Sequence, residues 1–276
     1  MKFSAVYVLE EEIPFKIGIQ APIQEVLTFL TTRSYNGVEL HIPNPFNVNI
    51  DTLKRNLNEY GLEVSAISTG LSYVKYGYSL SSENEDNRLK AIAFFKKYIE
   101  VAYLLDSKVV VVGTARGKCS IDCRAAKTRL TESLSLLGSY SRDFGVWLVL
   151  EPMNRRETDL INRIGEAMEV IQQVDNVYLL LDTYHILLEE GNVYEIFQKY
   201  GGYAKHIHVA DTHRLPPGLG ELDWSKILKI LDSIGYGNYV SVEALMEPDY
   251  VTALEVAIKT LRTSLKGHHS SASTNR

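Results

Sequence analysis

Short apolar runs rich in β-branched residues alternate along this chain with longer stretches in which apolar side chains recur every three or four positions. The runs predict strands over 3–8, 37–42, 63–68, 108–113, 146–151, 177–182, 204–209 and 239–243. The fourth, KVVVVG, is apolar throughout its middle, as a parallel strand buried on both faces requires. Between the runs, the helical period places Ile92, Phe95, Ile99 and Ala102 on one face of a helix over 86–105. It places Leu130, Leu134 and Leu137 on one face of a helix over 121–143. A helix over 224–233 starts after Asp223, an N-cap residue, and buries Ile227, Leu228 and Leu231. A last helix, over 249–265, buries Leu254, Ala257, Ile258 and Leu261. No Pro/Gly-rich linker and no shift in composition divides the pattern. One domain over 1–266 is expected, followed by a flexible polar tail over 267–276 to which His268 and His269 belong.

Eight strands alternating with helices have two common solutions, a closed barrel and an open doubly wound sheet. A doubly wound nucleotide binder carries a Gly-rich turn after its first strand. Here LEEEIP follows that strand and offers no phosphate cradle. The expected architecture is therefore an α/β (β/α)8 TIM barrel in one domain, for which 276 residues is an ordinary length.

Charge narrows the function. A net charge of −5 with no basic stripe excludes nucleic acid as an expected partner. No apolar run approaches the ~18 residues of a membrane span, and the apolar start is cut short by Glu10, Glu11 and Glu12, which leaves no signal peptide. The expectation is a cytoplasmic protein without membrane contact. Cys119 and Cys123, four apart in a predicted helix, read as incidental thiols, and so few cysteines fit a reducing compartment.

Reactive side chains in a barrel sit at the C-terminal ends of its strands. The fifth predicted strand ends in Glu151, the sixth in Asp182 and the eighth in Glu243, and the seventh carries His208. Taken singly, an acid after an apolar strand often caps the next helix, and a strand histidine is often a hydrogen-bonded core residue. Taken together, three carboxylates aimed into one mouth repel strongly without a cation. Three oxygens and one imidazole suit a single divalent ion, Mn²⁺ first, with Co²⁺, Mg²⁺ or Zn²⁺ as alternatives. His185, three after Asp182, is placed to hold a substrate oxygen or to support a ligand. Arg214 precedes a Pro/Gly-rich turn able to fold it over the mouth, and Glu157 can accept hydrogen bonds from substrate hydroxyls. Arg116, in GTARGK, is placed to meet an anionic substrate group. His206 shares strand parity with His208 and reads as a deeper, hydrogen-bonded histidine.

The segments LEPMNRRETDLIN, LLLDTYHILLEEGNV, KHIHVADTHRLPPGLGELDW and YVSVEAL resemble the xylose-isomerase-like barrels. Within them the likeness is to the D-tagatose 3-epimerase type of ketose epimerase. ISTGLSYVKYGYSLSS resembles that family's substrate-side loop, and the likeness runs over nearly the whole chain. It implies that Glu151 and Glu243 are both metal ligands and the acid/base pair, and that Asp182 and His208 complete the metal site. It implies that Glu157, His185 and Arg214 bind the sugar. The implied reaction inverts C3 of a ketose of the D-tagatose/D-psicose type, or of a ketoaldonate of the 5-keto-L-gluconate type. In the latter case Arg116 becomes the carboxylate partner. A homodimer or homotetramer is also implied.

The chemistry asks for these groups. Removing a proton beside a ketone leaves an enediolate, whose charge a divalent cation offsets, and inversion requires a base on each face of the carbon. Ketose/aldose isomerisation, of the hydroxypyruvate type among others, and metal-dependent dehydration of polyols or dehydroshikimate remain alternatives on the same barrel. The related abasic-site nucleases need extra histidines after earlier strands, where only His41 is spare. The loop over 9–22 is placed to cover the site.

Overall fold

The computed structural model describes residues 1–9, 13, 15–119 and 121–271. Eight parallel strands close into a barrel in sequential order, as the alternating pattern predicts. They are β1 (Lys2–Val8), β2 (Gly37–His41), β3 (Glu63–Ser68), β4 (Val109–Val112), β5 (Trp147–Leu150), β6 (Val177–Asp182), β7 (Ala204–Val209) and β8 (Tyr239–Val242). Among the described residues ten α-helices run between and after them: α1 (Ile23–Thr32), α2 (Ile50–Tyr60), α3 (Gly70–Tyr76), α4 (Glu85–Leu104), α5 (Cys123–Asp143), α6 (Ile164–Ile171), α7 (Thr183–Glu189), α8 (Val193–Tyr200), α9 (Trp224–Ser233) and α10 (Tyr250–Ser271). Side-chain caps fix several helix starts. Asp223 accepts from Lys226 N, as its position in the sequence predicts, and Asn49, Asn84, Asp122 and Asn192 act alike. The main core lies between strands and helices, where Phe95, Tyr98, Leu130, Leu134, Phe197, Leu228 and Leu261 are buried.

The barrel interior is divided. Ala66, Val109, Val111, Val149 and Leu180 pack together on the side of β3 to β6. The opposite side, from β7 through β8 and β1 to β2, presents buried Ser4, Glu39, His206, His208 and Ser241. Residues in parallel register point to the same face. The pairs Asp182↔His208, His208↔Ser241 and Ser4↔Ser241 therefore carry the inward parity from strand to strand.

Two expectations need correction. Cys119 and Cys123 form a disulfide with Cα atoms 4.5 Å apart, so they are not free thiols. Cys119 lies in the loop before α5 and Cys123 is the first residue of that helix, which lets the two side chains turn toward each other within bridging range. The cysteine count consequently carries no argument for a reducing compartment. At the other end, α10 runs to Ser271, five residues into the segment read as a tail, and residues 272–276 lie outside the described residues. The side chains of His268 and His269 also lie outside them. No helix among the described residues is long and apolar enough to cross a membrane.

Candidate metal centre

Glu151, Asp182, His208 and Glu243 meet at the C-terminal mouth. Each offers one ligand atom within 4.8 Å of the others, and all four are buried. Nδ1 of His208 sits among the carboxylates, 3.4 Å from Glu151 Oε1, 3.6 Å from Glu243 Oε2 and 3.9 Å from Asp182 Oδ2. Glu151 Oε1, Asp182 Oδ2 and His208 Nδ1 are buried without a hydrogen-bond partner. Buried polar atoms are almost always satisfied, and a site where unpartnered carboxylate oxygens and a ring nitrogen converge calls for a ligand. Three oxygens and one nitrogen fit a borderline-hard divalent cation.

Asp182 has one oxygen for each of the two roles that the sequence offered as alternatives. Its Oδ1 caps α7 by accepting from Tyr184 N (2.7 Å) and His185 N (3.3 Å). Its Oδ2 stays free for the centre. Glu151 and Glu243 turn their remaining oxygens away from the cluster, toward Gly113 and His41 respectively. A Cβ at Gly113 would lie 2.9 Å from Glu151 Oε2, so only glycine leaves that carboxylate its place. Glu243 Oε1 is 3.5 Å from His41 Nε2.

In the absence of a cation these charges cannot all coexist. Burial, followed by the nearby Glu151 and Glu243, raises the Asp182 carboxyl to about 8. Burial opposes ionisation of Glu243 as well, but His208, His41 and Arg214 outweigh it and hold that carboxyl well below the usual range. Asp182 is therefore the carboxyl that keeps a proton. Burial works against a charged His208, yet Glu39 and Glu243 raise it well above an ordinary imidazole. Groups with raised folded-state values stabilise the fold below their unfolded values and lose that contribution as pH rises through the folded ones. Metal-stripped protein should thus lose thermal stability from about pH 5 to about pH 8, where Asp182 gives up its proton. Metal uptake at pH 7 should release at least about one proton per ion, and fewer as pH rises past 8. Calorimetry in buffers of different ionisation enthalpy measures the release, and a pH-independent value near zero would contradict this charge arrangement.

The remaining candidate side chains surround the centre. His185, on α7, is 1% exposed. Arg156 N donates to Asn154 Oδ1, so the Asn154 amide NH₂ faces His185 Nδ1 at 2.8 Å and Glu157 Oε1 at 2.9 Å. His185 Nε2 then bears the hydrogen and points toward Glu151 Oε1 (3.7 Å) and Asp182 Oδ2 (3.9 Å). Burial, then Arg214, keeps this imidazole neutral. Arg214 donates to Glu157 Oε1 (2.9 Å) and to Glu243 Oε2 (3.0 Å). Its loop is anchored by Asp211, which accepts from Thr212 N, Leu222 N, Gly218 N and Trp224 Nε1. Asn154 and Asp211 were missed in the sequence, because each acts through loop contacts that no periodicity reports.

Arg116 does not reach the mouth, contrary to expectation. It is fully buried, donating from Nε to Leu160 O (2.8 Å) and from Nη1 to Glu151 O. The tight turn after β4 directs it beneath Glu151, where it is a counter-charge instead of a substrate contact.

A cavity of about 200 Å³ opens over the centre, lined by Glu151, Glu157, His208, Arg214 and Glu243 together with His41, Phe15, Ile17, Leu71, Val74 and Met153. Phe15 and Ile17 come from the 9–22 loop, whose described part therefore does border the site. Residues 10–12 and 14 lie outside the described residues. His41 was noted in the sequence only as the spare histidine of an early strand and was not placed at this site. Here it is buried, with both ring nitrogens lacking a hydrogen bond and its ring 4.6 Å from that of Phe15.

The sequence model of the xylose isomerase-like TIM barrel family matches residues 30–264. A D-psicose 3-epimerase from Ruminiclostridium cellulolyticum is 33% identical over 174 residues, 60% of this chain and 59% of that protein. A 3-dehydro-D-guloside 4-epimerase from Escherichia coli is 26% identical over 253 residues, 87% of this chain and 94% of its own length. The crystal structure of an E. coli 3-keto-D-glucoside 4-epimerase superposes with a TM-score of 0.80 at 23% identity, covering 95% of this chain and 99% of that one.

Proposed function

This chain belongs to the xylose isomerase-like TIM barrel family, and we propose that within it the protein is a metal-dependent isomerase that epimerises C3 of a neutral ketose. The observation that carries this reading is the pair Glu151 and Glu243. Each gives one oxygen to the ligand cluster and turns the other away from it, Glu151 toward Gly113 after β4 and Glu243 toward His41 on β2. Epimerisation needs two bases, one for each face of the carbon, and glutamates at the ends of the non-adjacent strands β5 and β8 can supply them. The D-psicose 3-epimerase and the 3-dehydro-D-guloside 4-epimerase among its relatives are named for inversion of a sugar carbon, which supports the same chemistry.

A divalent cation held by Glu151, Asp182, His208 and Glu243 would polarise the ketone and offset negative charge on its oxygen; Mn²⁺ is the first choice. Glu243, ionised at neutral pH, takes the C3 proton from one face or Glu151 takes it from the other, according to the direction of reaction. The Nε2–H of His185 donates to a substrate oxygen, held in that role by Asn154. Arg214 links Glu157 to Glu243 and lies over the mouth, so it orients both acids against the sugar hydroxyls.

The pocket favours a neutral sugar over a ketoaldonate. Arg214 is the one arginine or lysine among its described lining residues, and two carboxylates already engage it. The wall of Phe15, Ile17, Leu71, Val74 and Met153 offers a carboxylate nothing. The cavity is also below the roughly 300–1,000 Å³ of sites for drug-sized ligands, on the scale of one monosaccharide.

NMR in deuterated water, with ketopentoses, ketohexoses and ketoaldonates, tests the proposal. Deuterium at C3 together with the C3 epimer is the expected result, with neutral ketoses turned over faster than ketoaldonates. Deuterium at C1 or C2 with an aldose product would make the protein a ketose/aldose isomerase. Loss of water from a polyol would move it to the dehydratases. A homodimer or homotetramer in a soluble compartment such as the cytoplasm completes the reading, and light scattering on the purified chain tests the assembly.

A further inference from the structure

Beneath the four ligands lies a second buried cluster. Glu39, on β2, is fully buried. Its Oε2 is 2.8 Å from His206 Nε2, and its Oε1 and Oε2 are 3.0 and 3.2 Å from His208 Nε2. Ser68 Oγ donates to Oε1 as well. The proposed reaction uses none of Glu39, His206 or Ser68, and β2 supplies no ligand.

We propose that Glu39 is the positioning residue of the metal centre, accepting a hydrogen bond from Nε2 of His208 and thereby committing Nδ1 of that histidine to coordination. This rests on the metal-binding reading above and deepens it. A neutral imidazole carries one N–H. A carboxylate facing Nε2 can only accept, so the hydrogen resides on Nε2 and the lone pair on Nδ1. Nδ1 is the atom that faces Glu151, Asp182 and Glu243 and lacks any hydrogen-bond partner. The carboxylate also fixes the ring plane and makes the coordinating nitrogen more basic. His206, held by the same carboxylate 5.2 Å from the His208 ring, braces Glu39 from below.

Glu39, His206 and His208 lie close enough to one another to be considered as a cation site themselves. The donors decide against it. Two imidazole N–H groups and one hydroxyl already occupy the carboxylate, and the His208 Nε2 used here would have to give up its hydrogen.

The test is titration of the intact protein with Mn²⁺, following the EPR signal of the free ion, for wild type, E39Q and E39L. Wild type is expected to bind one equivalent. E39L, which removes the acceptor, should bind with a Kd raised roughly 10–100-fold, the usual effect of losing a ligand's hydrogen-bond partner. E39Q keeps the shape of the side chain and an accepting amide oxygen but not the charge, and its Kd should rise less. Nitrogen-15 NMR of the Zn²⁺-loaded wild type should show hydrogen on Nε2 of His208 and metal on Nδ1. A merely structural role would lower the melting temperature without moving the Kd. An E39L Kd within threefold of wild type, or metal on Nε2, would overturn the assignment while leaving the metal centre intact. Two equivalents in wild type and one in E39Q would make Glu39 a ligand instead. No binding by wild type would overturn both this inference and the reading it rests on.

Discussion

Glu151→Gln and Glu243→Gln should each lower kcat for C3 inversion by roughly 10²–10⁴-fold, the scale of one positioned acid or base, which corresponds to about 2.7–5.4 kcal/mol of barrier. Glutamine keeps the side chain's volume and one coordinating oxygen but cannot take a proton. Glu151 and Glu243 differ in their neighbours. Glu243 is held ionised by His208, His41 and Arg214 against the cost of burial, while Glu151 packs over Gly113 and Arg116. A single-base variant retains a carboxylate on one face. For the epimer whose C3 hydrogen lies on that face, it should still wash deuterium into substrate without forming product. That separation of exchange from inversion distinguishes a two-base site from any mechanism with one shuttling group. Because both residues also belong to the proposed ligand set, metal content must be measured alongside. Near-normal turnover in either variant at full metal occupancy would refute the acid/base assignment.

Removing the cation should have an effect at least as large. Chelation is expected to abolish measurable turnover, and Mn²⁺ or Co²⁺ to restore it. Ion at about 100 times its Kd should stabilise the fold by about 2.7 kcal/mol through mass action. Asp182→Asn gives the sharper version. The amide oxygen can still cap α7 through Tyr184 N and His185 N, so the helix start survives. The charge that binds the cation does not. The variant should lose metal-dependent activity and the metal-induced rise in melting temperature. Stripped of metal at pH 9, it should be no less stable than stripped wild type, because one of three crowded carboxylates is gone. A variant that collapses without metal but keeps normal metal affinity would show that Asp182 matters for capping alone.

Much of this was legible in the sequence. The barrel follows from eight short apolar β-branched runs alternating with stretches of helical period, a signal local to each segment. The strand-end ligands follow from the rule that barrel chemistry gathers at one rim, which turns four separate positions into one site. Glu157, His185 and Arg214 could be placed near it because they sit within a few residues of those strand ends. The disulfide and the direction of Arg116 were not legible, since both depend on how a short loop turns after its strand.

What the sequence determined by itself was thus the eight strands, four of the helices, the barrel they form and the residues at its mouth, because local periodicity and strand parity encode them. What only the tertiary structure decided was which side chains complete that mouth. Glu39 meets His206 and His208 across 167 and 169 residues of chain. His41, on the same strand as Glu39, faces Glu243 on the last strand's end. Such partners come together only when the first strands close against the last, and no local pattern records a contact made by ring closure.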